Sequence, residues 1–112
     1  AIGTPPIAKQ IANKLNAQFD FIFNQKINSI KNNECEIAIV TETKDIIIHE
    51  ELMRSFDIKL DDIYQQANKI WNSKIQEDIE YYRNNKKIVD MKDKSILLID
   101  EGLNTGLTMM AC

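Results

Sequence analysis

Apolar residues return at every third or fourth position from Leu60 to about Asn84, through Ile63, Tyr64, Ala67, Ile70, Trp71, Ile75, Ile79 and Tyr82. That spacing predicts one long amphipathic helix, with Asp61 and Asp62 in its first turn and Arg83 in its last, as the helix dipole favours. A shorter helix is expected just after Gly3, where Ile7, Ile11 and Leu15 recur in four-residue steps behind Thr4, Pro5 and Pro6. Thr4 suits an N-cap, and proline suits a first turn that needs no donor.

Other stretches carry a strand pattern. "FDFIFNQK", residues 19–26, is aromatic and β-branched, and "IAIV" and "DIIIH" flank "TETK" as the two arms of a hairpin whose turn has no glycine. Between them, "INSIKNNECE" is rich in Asn and charge and reads as a loop. "SILLID" is apolar throughout, the pattern of a strand buried on both faces of a parallel sheet. Helices alternating with such strands predict an α/β fold. Its central, mainly parallel sheet is flanked by helices in a Rossmann-like layout, and the hairpin and long helix are inserted into it.

Composition narrows the classes. With 112 residues, 44% of them hydrophobic, the chain fits a single domain spanning 1–112, and its ends suggest that flanking sequence is missing on both sides. Fourteen basic residues against 17 acidic ones give a net charge of −3, so neither nucleic acid nor an anionic membrane is an expected partner. No apolar run is long enough for a membrane span. The two cysteines, Cys35 and Cys112, lack metal-ligand spacing and are expected as reduced thiols in a cytoplasmic protein. Trp71, Tyr81 and Tyr82 are a large aromatic load for one helix and predict packing on a second copy, a homodimer.

The chemistry concentrates near residue 100. "ILLIDEGLNTGLT" sends an apolar run into two adjacent acids, Asp100 and Glu101, then into a loop with Gly102, Gly106, Thr105 and Thr108. Glycines permit close backbone approach, and hydroxyls with the free N–H groups of a helix starting near Asn104 or Thr105 suit a phosphate. Carboxylates repel phosphate but accept hydrogen bonds from sugar hydroxyls and suit Mg²⁺. A phosphorylated sugar satisfies both halves. The stretch is neither a P-loop nor a dinucleotide fingerprint.

That segment resembles the phosphoribosyl diphosphate (PRPP) motif of the type I phosphoribosyltransferases: an apolar strand, two acids, a short link and Thr-Gly-x-Thr. The likeness extends over nearly the whole chain to a bacterial branch of that family. "GTPPIA" from Gly3 stands where that branch has Gly-Gly-Val-Pro-Val-Ala, Gln25 and Lys26 where it has Arg-Lys, and Asn33 and Glu34 within its Asn-Pro-Glu loop.

The resemblance implies that Asp100 and Glu101 hold the ribose 2- and 3-hydroxyls as the catalytic pair. By the same resemblance Gly102, Leu103, Asn104, Thr105, Gly106, Leu107 and Thr108 hold the 5-phosphate. It further implies that Gly3, Thr4 and Lys26 meet the pyrophosphate, and that Mg²⁺ arrives largely with PRPP against Asp100 and Glu101. The implied activity is Mg²⁺-dependent phosphoribosyl transfer to an unidentified nucleobase-like acceptor. The alternative is a PRPP-binding regulatory or interaction protein without turnover. Asn104 replaces the aspartate of 6-oxopurine transferases and cannot act as a general base, which disfavours a hypoxanthine or guanine acceptor. His49, the only histidine, is expected at a helix start or on the surface.

Overall fold

The computed structural model describes residues 4–100 and 106–112. Helix α1 (Thr4–Leu15) leads through an extended segment to strand β1 (Asn24–Asn28), which is followed by β2 (Glu36–Thr41) and β3 (Ile46–Ile48). Then come the short helix α2 (Glu50–Ser55) and α3 (Leu60–Ile70). A π-helical turn over Trp71–Ile75 joins α3 to α4 (Gln76–Arg83), and α5 (Leu107–Ala111) ends the described chain.

The sheet corrects the expected architecture. Among the described residues it has three strands in the order β1-β2-β3, and both pairings are antiparallel. The reason lies in the connections. A parallel neighbour needs a crossover of a dozen or so residues, whereas residues 29–35 and 42–45 are long enough only to turn the chain back. The first connection closes on Ser29 N–H to Cys35 O at 2.9 Å and Glu34 N–H to Asn32 Oδ1 at 3.0 Å. The hairpin expected as an insertion is therefore part of the sheet itself.

Two expected strands are also relocated. Residues 19–23 are extended but outside the ladder, which starts only at Asn24. Phe21 and Phe23 stack at 5.9 Å, and each lies 5.7 Å from Tyr82, so this segment rests on the end of α4 through its rings. The apolar run 96–99 forms no strand, and Ile96 and Leu97 are 59% and 63% exposed. A short apolar run has no periodicity to show whether a neighbour awaits it.

Local signals fare better. The β2–β3 turn closes with Lys44 N–H to Thr41 O at 3.0 Å and places Lys44 at φ 67°, where a hairpin of this kind usually carries glycine. Lys44 Nζ lies 4.0 Å above the Trp71 ring, an attraction that offsets part of that strain. Asn16, Asp57 and Asn84 take positive φ just past α1, α2 and α4. Asn and Asp tolerate this conformation better than other side chains, so they end the helices in a chain with three glycines.

β2 is buried along nearly its whole length because it is covered twice. Ala38 and Val40 join Ile27, Ile63, Ala67 and Ile75 in the main core, and α5 packs on β2 and β3. Contacts recur every four residues, at Ile63, Ala67, Trp71, Ile75, Ile79 and Arg83. In an ideal α-helix each such step drifts by about 40°, so the last would point roughly 200° away from the first. The π-turn at Trp71–Ile75 takes up an extra residue and winds back about 100° of that drift. That halves the drift, and Arg83 reaches Glu42 just past the end of β2. No helix among the described residues is long and apolar enough to cross a membrane.

Candidate functional site

By strand alternation, Gln25 and Ile27 face the long helix, and Gln25 Nε2 donates to Asp78 Oδ2 at 3.3 Å. Asn24 and Lys26 then lie on the opposite face, where Asn24 Nδ2 donates to Cys112 Sγ at 3.4 Å, just past α5. The expected pyrophosphate lysine and the helix after the expected phosphate loop therefore share one side of the sheet. Lys26 is not waiting there unpaired: its Nζ sits 2.9 Å from Glu36 Oε2. An incoming anion has to compete with that carboxylate.

A cavity of about 610 Å³ opens on this side. One wall is the α1 face with Ala8, Ile11, Ala12 and Leu15; another is the extended segment 17–22; the rest comes from 88–91, 94–100 and α5. Asp20 ties two of these walls together. Its Oδ1 accepts from Phe21 N–H at 2.8 Å and its Oδ2 from Val89 N–H at 3.0 Å. Asp100 and Thr108, from the two ends of the acid-to-hydroxyl stretch, both line this cavity.

Gly106 precedes α5 with φ 82°, a conformation glycine adopts without strain, and a methyl group built there would meet no atom within 4 Å. Leu107 is buried, and α5 begins at this residue rather than near Asn104 or Thr105. Burial pushes the Cys112 thiol up from its ordinary value. The Asn24 hydrogen bond opposes that shift, and the nearby Asp100 and Glu42 charges add to it. Cys112 and Cys35 are both free. His49 N-caps α2, its Nδ1 accepting from Leu52 N–H at 3.4 Å.

Of the residues singled out from the sequence, Asp100, Gly106, Leu107, Thr108 and Lys26 fall on described positions, and Thr4 opens the helix whose inner face walls the cavity. Gly3, Glu101, Gly102, Leu103, Asn104 and Thr105 lie outside the described residues. Asn24 and Cys112 carried no sequence signal, since nothing in spacing links positions 88 residues apart. Among the described residues no group of three or more His, Cys, Asp or Glu side chains could hold a metal ion. Asp100 nevertheless has the hard oxygen donors that suit Mg²⁺, which is commonly held by one or two carboxylates together with substrate phosphates. The Asp100 carboxylate thus suits a hard cation. No family model matches the chain, and no solved structure matches it.

Proposed function

We propose that the chain transfers a 5-phosphoribosyl group from PRPP to a nucleobase-like acceptor. The observation that carries this reading is that Asp100 and Thr108 line one cavity large enough to admit an acceptor. Its other support is the Asp-Glu to Thr-Gly-x-Thr resemblance; the antiparallel sheet lends it none. Asp100 and Glu101 would accept hydrogen bonds from the ribose 2- and 3-hydroxyls. The 102–108 backbone with Thr105 and Thr108 would hold the 5-phosphate, and Gly3, Thr4 and Lys26 would meet the pyrophosphate.

In the reaction a ring nitrogen of the acceptor forms a bond to the anomeric carbon. The bond from that carbon to the diphosphate oxygen breaks, its electron pair leaves with pyrophosphate, and the ring proton passes to water. Bound Mg²⁺ would supply positive charge to the leaving group. The protein's own part is to align the two partners and place carboxylates beside a ring that gains positive charge. The second reading, PRPP binding without turnover, is favoured by the Lys26–Glu36 pair, which occupies the cation expected at the leaving group.

Calorimetric titration of PRPP with Mg²⁺ tests the site. The unmodified chain is expected to bind, and Asp100→Asn and Glu101→Gln each to weaken binding roughly ten- to hundredfold, since hydrogen bonds to charged groups contribute about 1.5–3 kcal/mol. Unchanged affinity in both variants would remove the proposal. Pyrophosphate release during incubation with a panel of bases separates transfer from binding alone.

A homodimer belongs to the same proposal. Trp71 is engaged within its own chain, whereas Tyr81 is 80% exposed and rests edge-on against Tyr82 at 4.8 Å. Light scattering is expected to give the mass of two chains, and Tyr81→Ser to shift it toward one. A single-chain mass for the unmodified protein ends that part of the reading.

A further inference from the structure

We infer that the acceptor enters the cavity beside Asp100 and is a flat, uncharged heteroaromatic ring that bears no carboxylate. This deepens the transferase reading and rests on it. The volume of about 610 Å³ lies within the range of small-molecule sites and leaves room for a single ring or a fused pair. Its walls are mainly aliphatic, with Ile11, Ala12, Ile22, Leu98 and Ile99 among them, surfaces that favour a ring face over a flexible polar chain.

Charge sets the class. Asp20, Asp90 and Asp100 line the cavity against one cationic side chain, Lys94; Asp90 and Lys94 are both exposed, whereas Asp20 and Asp100 are half-buried. An acceptor carrying its own carboxylate would be brought beside two half-buried acids, Asp20 and Asp100, with no buried cation among the described lining residues to receive it, at a cost in repulsion and desolvation. A neutral ring escapes both. The polar groups available for its edge are short and neutral. Asn24 donates its amide N–H to Cys112 and has its carbonyl oxygen left to accept a ring N–H, and the Thr108 hydroxyl can donate or accept.

The test compares matched pairs that differ by a carboxylate, uracil with orotate and nicotinamide with nicotinate. Each is titrated into the full chain by ligand-observed NMR, with and without PRPP and Mg²⁺. The neutral member of at least one pair is expected to bind ten times tighter or more than its carboxylated counterpart. Ala12→Phe, which fills the cavity from the α1 wall, is expected to abolish that binding. Ala8→Phe on the same wall serves if Ala12→Phe does not fold.

Equal or tighter binding of the carboxylated members overturns the inference. So does binding of neither member of either pair, or neutral-ring binding that survives both cavity-filling variants. If neutral rings bind in the cavity while PRPP does not bind at all, the transferase reading falls and the ligand class stands.

Discussion

Replacing Glu42 with glutamine is expected to lower the unfolding free energy by about 3–5 kcal/mol, because it leaves the Arg83 guanidinium buried without a countercharge. Both side chains are only 6% exposed, and Arg83 Nη2 donates to Glu42 Oε2. Among the described residues Arg83 Nε and Nη1 have no hydrogen-bond partner, and Glu42 is the one carboxylate that pairs with it. The Phe23 ring, 5.1 Å from the guanidinium carbon, adds a weaker attraction. Glu42 does more than balance charge. Its Oε1 accepts from Phe23 N–H at 3.0 Å, and its own N–H donates to Phe23 O at 2.9 Å, which ties the chain just before β1 to the residue just after β2. Arg83→Met should cost a similar amount. The double variant Glu42→Leu with Arg83→Met should recover most of the loss, since apolar residues of similar volume can replace a buried pair at little net cost. Urea denaturation of the unmodified protein and these three variants measures the losses and the recovery. A Glu42→Gln loss below about 1 kcal/mol would show that the pair does not fasten α4 to the hairpin.

What was legible in the chain was what its neighbours along the chain determine. The start of α1, the β2–β3 hairpin and the helical run after Leu60 each follow from a periodicity read over a few turns. So does His49 at a helix start, since Glu50 and Glu51 behind it suit the first turn of α2. The parallel sheet was not legible, because "SILLID" looks the same whether strands flank it or solvent does. Its exposed Ile96 and Leu97 are the opposite of the burial that the apolar pattern implied. The alternating Phe19, Phe21 and Phe23 read as a strand for a related reason. Alternation reports that side chains share a face, but here Phe21 and Phe23 lie against Tyr82 and Phe19 against Phe21, rather than over a ladder.

The site divides in the same way. Asp100 and Thr108 could be named from "LLIDEGLNTGLT" because acids, glycines and hydroxyls so close in sequence must lie close in space. That they border a cavity shared with α1 depends on Asp20 bridging to Val89, a contact between positions 69 residues apart. Lys26 shows the limit from the other side. Its place on the α5 face follows from strand register, yet its pairing with Glu36 depends on the bulge between Ile27 and Asn28. That shift brings Asn28 opposite Glu36, and no residue pattern announces it.

Trp71→Ala is the second substitution with a large expected effect, about 3–5 kcal/mol of lost stability, in the range for removing a large aromatic side chain from a packed site. The indole packs against the main core from the first position of the π-turn and donates its Nε1 proton to Glu42 O at 2.9 Å. Trp71 and Arg83 thus grip the same residue of the hairpin turn from two points on one helix, 12 positions apart. Only the widened turn between them lets both reach it. Trp71→Phe keeps most of the packing and loses the hydrogen bond, so it should cost about 1–2 kcal/mol, with the Glu42 carbonyl left to water or unpaired. The coupling is the sharper test. If both contacts serve one anchor, Trp71→Ala combined with Glu42→Gln should destabilise by clearly less than the sum of the two single losses, because either change alone already loosens the hairpin turn from the helix. Additive losses in urea denaturation would mean that the indole stabilises the core independently, and that the π-turn serves packing at Ile75 rather than the approach of Trp71 and Arg83 to Glu42.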